Sequence, residues 1–157
     1  MYEHILILID TSIHSRTAVV RGVELAQAFG SRLHLAFVLN DARRYLETYQ
    51  GDELDTIEDR ESLAAHLGWE ILEEALAAAS LARVQANARL VYGDPLKDIG
   101  ASGQPYDLIL IAKPKHPELA LHLLEKFQVP VILVCAERST SAVHRQNEPI
   151  SSTRLIS

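Results

Sequence analysis

Five short apolar runs along the chain predict the strands of one sheet. Each run is rich in leucine or β-branched residues and carries few charges, which is typical of strands buried on both faces. Between the runs, apolar residues recur at helical spacing, so strands and helices alternate along the chain. The runs lie at residues 5–9, 33–39, 88–92, 107–112 and 130–135.

Capping and turn residues predict where the helices begin and end. Ser12 is a candidate N-cap for the first helix, and Gly30 suits its carboxyl end. Asp94 and Pro95 suit the cap and the first position of a short helix. A long helix is predicted from about residue 56 to residue 81, and a last one after Pro117. The apolar face of the long helix is marked by Leu63, Leu67, Ile71, Ala75 and Ala79.

This alternation predicts an α/β fold, a single doubly wound domain with parallel strands and helices on both faces of the sheet. Ligands of such sheets bind at the carboxyl ends of the strands, where the strand order reverses. Asp10, Val38 and Lys113 lie at those predicted ends, and Lys115 follows closely. We expect the domain to span residues 1–136, followed by a polar carboxyl-terminal tail over residues 137–157.

Composition narrows the classes of function. The chain has 157 residues, and its net charge of −6 argues against nucleic acid or an anionic membrane as a partner. No apolar run approaches the roughly 18 residues of a membrane span. Residues 1–4 lack the basic start of a signal peptide, so a cytoplasmic protein is expected. The single cysteine, Cys135, excludes an internal disulfide and is predicted to be a small buried apolar side chain. The acidic segment 47–61 is interpreted as a solvated face.

The sequence carries no recognisable catalytic or metal-binding pattern. Its seven histidines are scattered, without the spacing of H-E-x-x-H, so we predict neither a metal site nor catalytic residues. The phosphate-binding pattern G-x-x-x-x-G-K-[ST] and the nucleophile pattern G-x-S-x-G are both absent from the sequence. A pair between His14 or His116 and Asp10 at the strand ends stays open.

Taken in order, four segments resemble the universal stress protein family over about residues 2–135. They are residues 5–15, with a buried strand followed by Asp-Thr-Ser, then residues 91–95, 106–111 and 129–134. The resemblance implies a five-stranded open sheet in the order 3-2-1-4-5. It also implies a dimer formed through the last strand and a role in stress survival.

Many members of that family bind ATP through the Asp that ends the first strand, residues that end the second, and a loop G-x2-G-x9-G-[ST]. Asp10 matches the first element, and Val38 with Leu39 is placed to match the second. The loop itself is missing, because residues 113–129 provide seventeen positions, the loop takes fifteen, and a helix needs about ten. No glycine follows Gly103 either. ATP is therefore not expected as a cofactor.

Lys113 and Lys115 stand where that loop would begin, and they leave three interpretations open. Lys113 neutralises Asp10 on the neighbouring strand end, or both lysines are simply solvated. Alternatively, Asp10, Val38 and the two lysines form a remodelled site for a nucleotide or another small anion.

The last predicted strand carries the strongest interaction signal. In the order 3-2-1-4-5 it lies at the sheet edge. An apolar edge strand without charged side chains is prone to pair with a strand of another chain. We expect a homodimer through Val131, Ile132, Leu133 and Val134. The alternative is that the tail, 137–157, covers this edge within one chain. The sequence thus favours a stress protein that acts by contact with a partner protein, with a ligand-binding module as the alternative.

Overall fold

The computed structural model of the chain describes residues 2–39, 57–113 and 118–136. The strands are β1 (His4–Ile9), β2 (Arg32–Val38), β3 (Ala86–Val91), β4 (Leu108–Ala112) and β5 (Val131–Val134). The helices are α1 (His14–Phe29), α2 (Ile57–Leu81), α3 (Pro95–Ala101) and α4 (Glu118–Phe127). Each predicted strand is present, with its ends shifted by at most two residues.

All strand pairs are parallel, and the sheet order is β3-β2-β1-β4-β5, which confirms the expected doubly wound topology. The register pairs Ile9 with Phe37 and Leu8 with Ile111. The carboxyl ends of β1, β2 and β4 therefore lie at one edge of the sheet, and their amino ends at the other.

Helices cover both faces of the sheet, as predicted. On one face α1 packs against β1 and β4, while α2 packs against β2 and β3. That side buries Ile5, Ile7 and Ile9 of β1. The opposite side buries Leu6 and Leu8 together with residues of α3 and α4. Alternate residues of β1 thus serve two separate cores, which is why the run is apolar throughout.

Two glycines allow unusually close packing of helix on sheet. A Cβ atom at Gly22 of α1 would overlap the side chain of Ile7. A Cβ atom at Gly68 of α2 would lie 2.8 Å from Cδ1 of Phe37 and 2.9 Å from Cδ2 of Leu90. These contacts bring α1 and α2 down onto the strands, and they fix how each helix is rotated about its axis.

The helix boundaries follow the predicted caps with one correction. Gly30 ends α1 with φ 68°, and the carboxylate of Asp94 accepts a hydrogen bond from the Leu96 N–H at the start of α3. Ser12, however, is not the N-cap of α1, because Ile13 takes that position without a side-chain cap. The Ser12 N–H is instead held by the Asp10 carboxylate at 2.8 Å, so the chain makes a tight turn before the helix begins.

The prediction of a buried Cys135 is wrong, because this residue is exposed. It lies one residue beyond β5, and β5 is an edge strand with a neighbour on one side only. Side chains at the end of an edge strand keep contact with solvent even when the run that contains them is apolar. None of the described helices is both long enough and apolar enough to cross a membrane.

Candidate functional site

Asp10 lies in the turn that follows β1, and Ser15 of α1 holds it in place. One carboxylate oxygen, Oδ1, accepts hydrogen bonds from the Ser12 N–H and from the Ser15 hydroxyl, both at 2.8 Å. Oγ of Ser15 also accepts a hydrogen bond from the Asp10 N–H at 2.8 Å. Because Ser15 is only 4% exposed, these contacts fix the carboxylate firmly at the sheet edge.

A cleft of about 400 Å³ opens beside Asp10, between α1 and α2. Its walls are largely apolar and include Val19, Val20 and Ile71. At its rim, the guanidinium of Arg16 and the carboxylate of Glu74 form an exposed ion pair at 2.9 Å. Its other described lining residues are Ile9, Asp10, Thr11, Ser12, Ile13, Ser15, Ala75 and Ala78.

This cleft has the size and surface of a small-molecule site. Its walls suit an apolar or aromatic body, and Asp10 with the hydroxyls of Thr11 and Ser12 provides hydrogen-bonding groups at one end. The charged side chains in its described lining are Asp10, Glu74 and Arg16. Since Arg16 is already paired with Glu74, the described lining offers a carboxylate to a ligand more readily than a cation.

Three of the four residues predicted for a ligand site are described by the structure, and of these three only Asp10 lines this cleft. Val38 is buried in β2, and Lys113 is exposed at the end of β4. In the part of the chain that the structure describes, no ion pair joins Lys113 to Asp10, so the contacts do not support the interpretation in which Lys113 neutralises this carboxylate. The Lys113 N–H continues the sheet ladder to the carbonyl of Val134 at 2.8 Å. Lys115 lies outside the described residues.

The connection after β4 is as short as the sequence indicates. β4 ends at Ala112 and α4 begins at Glu118, so residues 113–117 join them. These five positions contain no glycine. The pattern G-x2-G-x9-G-[ST] takes fifteen positions, which is more than the five that this connection has.

His14 and His116 were candidates to approach Asp10. His14 turns elsewhere: its Nδ1 accepts a hydrogen bond of 2.7 Å from the N–H of Ala136. That contact ties the start of α1 to the chain just after β5. His116 lies outside the described residues. Within the described ranges, no three histidine, cysteine or acidic side chains converge as a metal site would require.

A second polar cluster, which sequence reasoning missed, lies at the opposite edge of the sheet. His4 and His34 face each other there, with Nδ1 of His4 3.0 Å from Nε2 of His34. Burial lowers the pKa of His34 below its usual value, and the charge of His4 lowers it further. The backbone N–H groups of His4 and Glu3 lower the pKa of Asp107, although partial desolvation opposes them. His34 is the one polar residue in the run 33–39, and that was the signal for this cluster.

Comparison with known proteins now identifies the family. The model of the universal stress protein family matches residues 1–135. The chain belongs to the universal stress protein family. No curated protein matches the chain.

Several solved structures share this fold. A universal stress protein family member from Burkholderia pseudomallei has 22% identity and a TM-score of 0.64, and the match covers 86% of this chain and 97% of that one. A universal stress protein from Archaeoglobus fulgidus in complex with dAMP has 18% identity and a TM-score of 0.58, with 85% and 98% covered. An Arabidopsis thaliana family member with AMP bound has 13% identity and a TM-score of 0.57, with 96% and 99% covered.

At these identities the likeness to the solved structures shows the fold alone. It agrees with the five-stranded parallel sheet described above and with the family resemblance seen in the sequence. The nucleotides belong to those two proteins.

Proposed function

We propose that this universal stress protein family member works in the cytoplasm as a homodimer that binds other proteins under stress, without ATP as a cofactor and without catalysis. The observation that carries the proposal is the apolar surface of the edge strand β5. Ile132 is 41% exposed and Leu133 is 46% exposed, although they point to opposite faces of the sheet.

The helix α4, which packs against β5, also exposes apolar side chains. Leu121 and Leu124, three positions apart on α4, are also exposed. Apolar side chains exposed on an edge strand and its adjacent helix are typical of a protein interface. Val131 is half-buried and Val134 is buried. We therefore assign direct contact with a partner to Ile132 and Leu133, and a supporting role to Val131 and Val134.

Pairing of β5 with β5 of a second copy would join two sheets around a twofold axis. It would satisfy the backbone groups at the open side of the strand and cover Ile132 and Leu133 at once. The rival is that the tail, 137–157, covers the edge; this segment follows Ala136 in the sequence and lies outside the described residues. The two arrangements differ in the mass of the particle in solution.

Sedimentation equilibrium on the full chain tests the dimer. We expect a mass of twice 17.4 kDa for the wild type and a single-chain mass for Leu133→Lys. Leu81→Lys is the matched control, because Leu81 is 88% exposed at the end of α2, away from β5. A monomeric wild type at about 100 μM, or a Leu133→Lys variant that is as dimeric as the control, would contradict the proposal.

The absence of ATP as a cofactor is proposed from the connection between β4 and α4. The five positions 113–117 leave no room for the family's glycine loop, and the sequence contains no glycine after Gly103. Lysines at 113 and 115 offer point charges to a phosphate, whereas a glycine loop surrounds it with backbone N–H groups.

The second candidate is a module that binds a nucleotide or a small anion at the carboxyl ends of β1, β2 and β4. The complexes of the two solved relatives with dAMP and AMP favour it. The apolar walls of the cleft beside Asp10 suit the base of a nucleotide, but the one cation in its described lining, Arg16, is paired with Glu74. In this alternative Asp10 and the end of β2 at Val38 bind the uncharged part of the ligand, and Lys113 and Lys115 bind its negatively charged group.

Isothermal titration calorimetry with ATP and Mg²⁺, and separately with AMP, distinguishes the two functions. The protein must first be shown to be free of co-purified nucleotide. We expect no heat of binding up to millimolar nucleotide. Micromolar binding that is lost in Lys113→Ala/Lys115→Ala would overturn the first proposal and establish the second. Lys97→Ala, at an exposed lysine of α3, serves as the charge-matched control.

A further inference from the structure

Polar groups link four neighbouring strands at the amino-terminal edge of the sheet. The carboxylate of Asp107, just before β4, accepts hydrogen bonds from the N–H of Glu3 at 2.7 Å and of His4 at 2.8 Å. The ring of His4 at the start of β1 then reaches the ring of His34 in β2 at 3.0 Å. Nδ1 of His34 lies 3.1 Å from the side-chain amide nitrogen of Asn87 in β3. A continuous polar chain thus crosses from β4 to β3.

The two facing rings can share one proton but not two. At 3.0 Å, a hydrogen bond between Nδ1 of His4 and Nε2 of His34 needs one nitrogen as donor and the other as acceptor. If both rings are cationic, both nitrogens carry hydrogen and no acceptor remains. The contact then becomes a repulsion between two positive charges.

The surroundings of His34 disfavour its positive charge. Its ring is buried, with an exposed fraction of 9%, and it meets the ring of Tyr106 edge-on at 5.3 Å between centroids. Arg32 on its own strand and Arg89 on β3 both lower its pKa further. Hydrogen bonding to Asn87 acts in the opposite direction, but it is a smaller influence than burial and His4.

Acidic groups nearby are already committed to other partners. Asp98 of α3 pairs with the guanidinium of Arg89. The carboxylate of Asp107 binds the backbone of residues 3 and 4. The Asp107 carboxylate interacts favourably with a positive charge on His4, so the first proton of the pair is better placed on His4 than on His34. Neither carboxylate is hydrogen-bonded to the ring of His34 in these contacts, so a second proton, on His34, gains no such partner there.

We propose that the His4–His34 pair is a proton-sensitive contact that holds the amino-terminal edge of the sheet together near neutral pH and releases it in mild acid. The second proton breaks the link between β1 and β2, and with it the polar chain from Asp107 to Asn87. The strand ends at this edge then loosen while the cores on either face stay packed. This device does not depend on the dimer or on any ligand.

The direction of the pH effect follows from the linkage between protonation and stability. A histidine whose pKa is lower in the folded state than its ordinary 6.5 binds its proton more readily in the open or unfolded state. Stability is therefore full above pH 6.5 and is lost as the pH falls from there through the folded pKa. Each unit of separation between the two pKa values raises the unfolding constant about tenfold.

Nuclear magnetic resonance of the histidine rings in the full wild-type chain tests the pair directly. The reference is the ordinary histidine value of 6.5. We expect the midpoint of His34 to lie below that value. The backbone amides of His4 and Asn87 should shift with the midpoint of His34. Titration of His34 at or above pH 6.5 would overturn the proposal.

A variant series separates the pair from burial alone. In His4→Gln the neighbouring ring charge is gone, so the midpoint of His34 should rise. Between pH 7 and pH 5 the unfolding constant of the variant should increase less than that of the wild type. The difference should be about tenfold for each unit by which the His34 pKa rises in the variant. His122→Gln is the control and should keep the wild-type pH dependence. If His4→Gln keeps both the His34 midpoint and the pH dependence of that control, the two rings do not act together.

Discussion

The hydroxyl oxygen of Ser15 lies 2.8 Å from the backbone nitrogen of Asp10 and 2.8 Å from its carboxylate Oδ1. The first turn of α1 therefore holds Asp10, which is the first of the four residues that join β1 to α1. The hydroxyl oxygen of Ser15 also lies 3.0 Å from the carbonyl oxygen of Asp10, so both the N–H and the C=O of Asp10 have this hydroxyl as a neighbour. One buried serine thereby sets the shape of the cleft floor.

Ser15→Ala should lower the free energy of unfolding by about 1–2 kcal/mol, because it leaves the Asp10 N–H without its partner. Urea denaturation followed by circular dichroism measures this change. Ser12→Ala is the matched control, since the Ser12 hydroxyl makes only a longer contact of 3.3 Å with the His14 N–H. If both variants lose the same free energy of unfolding, the buried contacts of Ser15 contribute no more to stability than the longer contact of Ser12.

Gly22→Ala should destabilise the protein by about 1–3 kcal/mol, because the new Cβ overlaps the side chain of Ile7 and the core must shift. Gly100→Ala is the control. Its nearest neighbour is the flexible end of Lys126, with Nζ at 3.3 Å, and alanine favours the helix. Ile7→Val removes the overlapping atom, so the double variant Gly22→Ala/Ile7→Val should lose less stability than the sum of the two single variants. Additive losses measured by thermal unfolding would contradict this packing argument.

Asp98→Asn should cost about 1–2 kcal/mol of stability, because it removes the counter-charge of Arg89 in a half-buried ion pair. Among the described residues Nη2 of Arg89 is buried without a hydrogen-bond partner, and Nη1 pairs with Asp98. Glu74→Gln breaks the exposed pair with Arg16, and its cost should stay below about 1 kcal/mol. The comparison is made by urea denaturation at one ionic strength, and a larger cost for Glu74→Gln would refute the ranking.

Asp107 should contribute a second pH dependence, at lower pH than the histidine pair. The N–H groups of His4 and Glu3 hold its pKa below the ordinary 3.8. A carboxylate with a lowered folded pKa stabilises the fold above its unfolded pKa, and that stability is lost as the pH falls through the folded pKa. Asp107→Asn should therefore show a shallower loss of stability below about pH 4 than the wild type. Thermal unfolding from pH 5 to pH 2.5 measures it, with Glu125→Gln as the control, and equal slopes would count against Asp107.

Periodicity and capping residues were enough to predict every described strand and helix. The run of Ile5 to Ile9 is apolar at each position because both faces of β1 are covered, and Asp94 with Pro95 caps α3 as predicted. Details of packing were less accessible. The face of α2 that lies deepest includes Ala64 and Leu72, one position away from the predicted line through Leu63 and Ile71. Gly68 sets that rotation of the helix, because the ring of Phe37 occupies the space that a side chain at position 68 would fill.

One residue of the cleft could be placed from the sequence. Asp10 was recognised from its place after a buried strand, and the structure places it at the cleft. Lys113 was expected beside it but points to solvent, since position along the chain says which strand end a residue occupies and not where its side chain turns. His14 was a candidate to approach Asp10 for the same positional reason, but its ring accepts a hydrogen bond from the backbone N–H of Ala136.

By itself, the sequence determined the order of elements, the parallel sheet, the family and the absence of a glycine loop after β4. These follow from local patterns, because burial on one or both faces selects side chains at fixed intervals along each element. Only the tertiary structure brought His4 to His34 and Arg89 to Asp98. Strand register and helix rotation decide such meetings, and they are set by the packing of the whole core rather than by any one segment.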